Sequence, residues 1–96
     1  MFIKIHVSND ANLLAICDED LLGKTLEEGE KYLCVYEHFY GGEIKSEKEI
    51  KALLKEFNNV NVVGKGIVKI MLDLGLIEKE DIIYIGGVAH ACISTC

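Results

Sequence analysis

The stretch Ser46–Phe57, "SEKEIKALLKEF", decides the fold, because here the chain changes from a period of two to a helical one. Ser46 with Glu49 three residues later is the pattern of a capping box, in which each side chain satisfies the other residue's backbone amide. Ile50, Leu53, Leu54 and Phe57 then recur at i, i+3, i+4 and i+7, one face of a helix. Glu47 and Lys51 make a favourable i,i+4 pair, and Lys48, Lys51 and Lys55 lie off the apolar stripe, as a solvated face requires.

Upstream the pattern alternates. "FIKIHVS" puts Ile3, Ile5 and Val7 on one side and Lys4 and His6 on the other, which is the signature of a half-buried strand. The turn-rich "SNDAN" then returns the chain into "NLLAIC", so residues 2–8 and 13–17 are expected to form a hairpin. "KYLCVYE" supplies a third strand, Tyr32–Glu37, and between strands Leu21, Leu22 and Leu26 fit either a short helix or a packed loop. Downstream, "NNVN" ends the first helix and Asn61 reads as the N-cap of a second, whose buried stripe is Val63, Ile67, Ile70, Met71 and Leu74 and whose C′ residue is Gly75. "DIIYIGGV" reads as a final strand covered on both faces. The expectation is an α+β fold, one compact domain over residues 1–96 without a linker, in the order β-β-β-α-α-β. Its sheet is mixed or antiparallel, with two helices packed on one face.

Composition narrows the function classes. Half of the 96 residues are apolar, yet no apolar run approaches the roughly 18 residues of a membrane helix. "MFIKIHVSND" is too short and too polar for a signal peptide, so a soluble, cytoplasmic protein without a membrane partner is expected. All 10 basic residues are lysine, and 16 acids give a net charge of −6, the opposite of the usual nucleic-acid footprint. The absence of arginine removes the guanidinium fork that clamps phosphates and reads guanine. Non-specific nucleic-acid binding is not expected, whereas a local lysine patch docking on a protein or ribonucleoprotein stays open. The 4 cysteines are read as reduced thiols, with Cys17 and Cys34 as small core residues.

Several motifs tempt and fail. Gly23-Lys24-Thr25 ends like a phosphate loop, but the position that needs the first glycine is Asp18, and Glu19 and Asp20 would repel phosphate. Gly64-x-Gly66 begins a dinucleotide fingerprint whose third glycine is replaced by Lys69. His90-x-Cys92 and Cys92-x3-Cys96 bring soft ligands close without a C-x2-C knuckle, so neither a metal nor another cofactor is expected. Cys17 or Cys92 with His90 as base and Asp18 as orienting group would make a nucleophile only if folding joined them. "HFYGG" (His38–Gly42) reads either as a plug closing the sheet or as a recognition surface together with Asn61, Gly64 and the positive end of the second helix.

Four stretches taken together resemble one family. "AICDEDLLGKT" (Ala15–Thr25), "FYGGE" (Phe39–Glu43), "NVVGKGIV" (Asn61–Val68) and "IGGVAHA" (Ile85–Ala91) are similar to the small archaeal proteins grouped as domain of unknown function family 424, in the family's order and over most of the chain. Where members carry Val-Pro-His-Ala-Gln, this chain has Ala89 for the proline and Cys92 for the glutamine, while His90 is retained. The resemblance implies an archaeal cytoplasmic protein and no particular activity. Its motifs fall at turns and element ends, where a rigid scaffold displays binding residues.

The reading that follows is a non-enzymatic binding module of a cytoplasmic macromolecular assembly, with translation as one setting. Its candidate surface is Asp18, Gly23, Lys24, Thr25, Phe39, Tyr40, Gly41, Gly42, Asn61, Gly64 and His90. The alternative is a small enzyme or ligand-binding protein in which His90, Asp18 and a cysteine share one pocket. The sequence assigns no catalytic residue and no oligomeric state.

Overall fold

The structure is a computed structural model that describes residues 1–7 and 12–93. Strand β1 (Phe2–Val7) pairs antiparallel with β2 (Asn12–Cys17), setting Ile3 opposite Ile16 and Ile5 opposite Leu14. The "SNDAN" connection lies largely outside the described residues. A 3-10 turn at Glu19–Leu21 leads to β3 (Thr25–Glu28) and β4 (Lys31–Cys34), which form a separate two-stranded sheet. One turn of helix, α1 (Glu37–Tyr40), precedes the two-residue β5 (Glu43–Ile44), which adds to the outer edge of β1. Then come α2 (Glu47–Leu54), β6 (Asn59–Val63), α3 (Lys65–Asp73), β7 (Ile83–Ile85) and β8 (Val88–Ile93).

The main sheet has six strands in the order β5-β1-β2-β6-β8-β7. Only β2 and β6 run parallel, and their connection contains β3, β4, α1, β5 and α2, the long crossover that parallel neighbours require. Alternation along the strands then sorts side chains into two layers. Ile3, Leu14, Ile16, Val60, Val62, Ala89 and Ala91 face α2 and α3, where Ile50, Leu54, Ile67, Val68, Ile70 and Met71 complete one core. Ala15, Cys17, Val63 and Ile85 face the opposite way and are covered by Leu21, Leu26, Val35 and Tyr40 from the second hairpin and α1.

The α+β class, the mixed sheet, the N-terminal hairpin and the two helices on one face hold, as does the Ser46–Glu49 capping box. α3 ends as expected at Gly75, where Leu76 N donates to Met71 O and Gly75 N to Leu72 O, both at 3.0 Å. The expected order β-β-β-α-α-β does not hold, because β3, the single turn α1, β5 and β6 are additional elements, and three of the expected segments differ in detail. Asn61 does not cap α3: it lies within β6, and the N-cap position is Gly64. The third strand is Lys31–Cys34, shorter than expected and paired with β3 rather than with the main sheet. The final strand is a hairpin, because Gly86 (φ 59°) and Gly87 (φ 80°) form a two-residue turn with both φ positive, the hairpin geometry that glycine favours. Tyr84 and Ile83 on its first arm are more than half exposed, so that arm is not covered on both faces.

Candidate functional site

A chain of polar side chains crosses the sheet face on which α1 lies. The register sets Asn61 of β6 beside Cys92 of β8, and Val63 beside His90. Asn61, His90 and Cys92 therefore point to one face, since residues two apart on a strand share a side. The Tyr40 hydroxyl, on a side chain only 2% exposed, donates to Asn61 Oδ1 at 2.6 Å. His90 Nε2 lies 3.2 Å from the same oxygen, and Cys92 Sγ lies 3.7 Å from His90 Nε2.

The acceptor fixes the protons. A carboxamide oxygen only accepts, so His90 carries its proton on Nε2 and donates it to Asn61. That nitrogen cannot at the same time take a proton from the Cys92 thiol. Nucleophile activation needs the thiol and the orienting group on opposite ring nitrogens, and here both face the same one. Burial reinforces the point: it lowers the His90 pKa, raises that of Cys92, and raises that of Tyr40. All members stay neutral at neutral pH. The arrangement orients hydrogen-bonding groups and does not generate a thiolate.

Its outward capacity can be counted. Among the described residues no group bonds the Asn61 Nδ2 hydrogens or His90 Nδ1, and Cys92 is exposed. Asn61 and His90 are half-buried. Among the described residues the strip thus leaves two amide hydrogens and one imidazole acceptor unengaged and exposes one thiol.

The "HFYGG" segment holds this strip from one side. Lys4 Nζ donates to His38 O, His6 Nε2 donates to Phe39 O at 2.8 Å, and Gly42 N donates to Ile3 O at 3.1 Å. The His6 ring stacks on Phe39 with centroids 4.6 Å apart, and Phe39 meets Tyr40 edge to face at 4.8 Å. Gly41 packs against Glu37 and Leu22. Phe39 and Tyr40 are thus seated on the sheet, and Gly42 is exposed at the edge of β1. His6, absent from the sequence candidates, joins the site, and so does Cys92, which the sequence offers as a nucleophile or metal ligand but not as part of the binding surface. His90-x-Cys92 carried the signal for Cys92 through its two-residue spacing, and the polar side of β1 carried that for His6.

The remaining candidates serve elsewhere. Asp18 accepts from Gly66 N at 2.8 Å and Ile67 N at 3.0 Å, so its carboxylate caps α3 across Gly64. Among the described residues no hydrogen bond joins Asp18 to His90. Gly23, Lys24 and Thr25 enter β3, where Gly23 N donates to Val35 O and Val35 N to Lys24 O, each at 2.8 Å, leaving all three residues exposed. Cys17 is buried, and burial followed by the neighbouring Asp18 pushes its thiol up to about 11. Among the described residues no three His, Cys, Asp or Glu side chains gather to hold a metal; Cys96 lies outside them. Among the described residues no helix is long and apolar enough to cross a membrane.

Comparison with known proteins places the chain. The crystal structure of an uncharacterized conserved protein from Methanopyrus kandleri is similar over 98% of this chain and 92% of its own, with a TM-score of 0.77 and 29% sequence identity. No curated protein matches the chain. The family described as "Protein of unknown function (DUF424)" matches residues 6–96, the span that contains the Asn61–His90 strip, the α3 cap and the docked aromatic turn, and the chain belongs to that family.

Proposed function

We propose that this protein is a non-enzymatic binding module of a cytoplasmic macromolecular assembly, recognising a protein or ribonucleoprotein partner through the strip of Asn61, His90 and Cys92 beside α1. The observation that carries the reading is the shared acceptor: Tyr40 and His90 both donate to Asn61 Oδ1, which fixes the amide and the ring. A fixed amide and a fixed imidazole recognise neutral polar groups such as peptide backbone at little entropic cost. The same geometry weighs against the enzyme alternative, because His90 Nε2 is already committed as a donor.

Recovery of the tagged protein from its native cells at mild salt tests the reading, with Cys92→Lys as the comparison. Cys92 is exposed, so a lysine there leaves the fold intact and sets a charged chain across the strip. A partner recovered with the wild type and lost with Cys92→Lys is the expected result. Recovery of no partner, or of the same partner by both forms, would overturn it.

A further inference from the structure

The outer edge of β1 is only half covered. β5 pairs with Phe2 and Ile3 alone. Lys45 N donates to Met1 O at 3.0 Å and Gly42 N to Ile3 O at 3.1 Å, so the odd-numbered residues of this strand turn their backbone groups away from β2. Continuing that alternation, the N–H and C=O of Ile5 and Val7 point outward as well. No described residue bonds them on that side.

Beside this edge lies a cavity of about 570 Å³ between β1 and α2, floored by Ile3, Ile5, Ala52 and Leu53. On its rim Lys45 sits between two carboxylates, 3.0 Å from Glu43 and 3.6 Å from Glu49, so the charged groups there are engaged with one another. Ile5 is 43% exposed and Val7 79% exposed. Neither proline nor a charged side chain occupies Ile5 or Val7, the devices by which edge strands commonly avoid pairing. An unpaired row of amides and carbonyls is satisfied by another extended backbone, whose alternate side chains would reach the cavity.

We propose that the Ile5–Val7 edge docks an extended segment of a partner protein, which continues the lane of β5 antiparallel to β1 and places an uncharged aliphatic side chain in the cavity against α2. A second copy of this chain fits poorly. Its β1 could overlap by only about three residues before meeting Gly42 and Glu43, and such a contact falls far below the roughly 1,200 Å² of a stable interface. Each copy also carries a net charge of −6. A free segment ends where β5 begins and extends past Val7 without that constraint. This edge is separate from the Asn61–His90 strip and stands or falls independently of it.

The test is selection from a displayed library of eight-residue peptides with alternating aliphatic positions, followed by amide hydrogen exchange read by NMR on the full chain. Selected peptides should slow exchange at Ile5 and Val7 at least tenfold and leave the β8 amides unchanged. Ala52→Trp, which fills the cavity from an exposed helix position, and Ile5→Pro, which deletes an outward amide that β2 does not use, should each weaken binding at least tenfold. Should Ile5→Pro fail to fold, Ala52→Trp decides alone. The proposal is overturned if no peptide is selected, if selected peptides bind Ala52→Trp unchanged, or if Ile5 and Val7 are already protected in the free protein, as a monomer or as a concentration-dependent dimer.

Discussion

Gly64 leaves open the space that the Asp18 carboxylate fills: a Cβ at position 64 would stand 2.6 Å from Asp18 Oδ2, and the residue's φ of +123° already favours glycine. The N-cap position of α3 has no side chain, and Asp18, 48 residues before Gly66, supplies the missing acceptor to that residue's amide. Asp18→Ala should cost about 1–2 kcal/mol, the usual range for a lost cap. Gly64→Ala should cost about 1–3 kcal/mol from its backbone conformation, with the clash in addition. In urea denaturation, the second change should cost less in the Asp18→Ala background, where the carboxyl group's share of the clash is gone and only the Cβ of residue 18, 2.8 Å away, remains. Strictly additive values would contradict this coupling.

Tyr40→Phe removes the donor to Asn61 Oδ1 but keeps the ring against Phe39. The expected loss is about 1 kcal/mol, and Asn61→Ala should lose more, about 1–3 kcal/mol, because it leaves a buried phenol unpaired. The double variant should be less destabilised than the sum, since each single change breaks the same bond. The folded-state double-mutant cycle checks it.

Burial lowers the His90 pKa relative to the unfolded chain. Between the folded and unfolded values the unfolded state binds more protons, so stability rises with pH through this window and falls as pH drops below about 6.5. Melting temperatures compared from pH 5.5 to 7.5 should show a shallower acid loss for His90→Gln than for the wild type. An equal or steeper loss in the variant would place the titration elsewhere.

Thiol labelling separates the cysteines. Cys17 is fully buried and its thiol is held up to about 11, so it should react only after unfolding. Cys92 is exposed and should label in the native state, at the slow rate of a thiol whose pKa is raised by partial burial. Comparison of wild type with Cys17→Ser and Cys92→Ser assigns each event by mass spectrometry, and native labelling at Cys17 would contradict the packing.

Much of the fold is legible where the signal is local. Ser46 with Glu49, the alternation of Ile3, Ile5 and Val7, and Gly75 after the second helix each need only a few residues of sequence. Asn61 misled because asparagine favours caps, while the alternation of Val60 and Val62 is short and β6 owes its place to β2, more than 40 residues earlier in the chain. Gly86-Gly87 did carry a hairpin signal, hidden inside an unbroken apolar run. For the site, Tyr40, Asn61 and His90 were all singled out, but their junction spans 21 and 29 residues and no local pattern encodes it. Asp18 looked available for binding because nothing near it in sequence reveals that it caps α3.

The most direct test of the central claim is the protonation of the His90 ring, read from long-range proton–nitrogen NMR correlations at neutral pH. The expected result is a neutral imidazole with its proton on Nε2, shared with Asn61. A neutral ring protonated on Nδ1, or an imidazolium paired with a Cys92 thiolate, would contradict it and reopen the catalytic alternative.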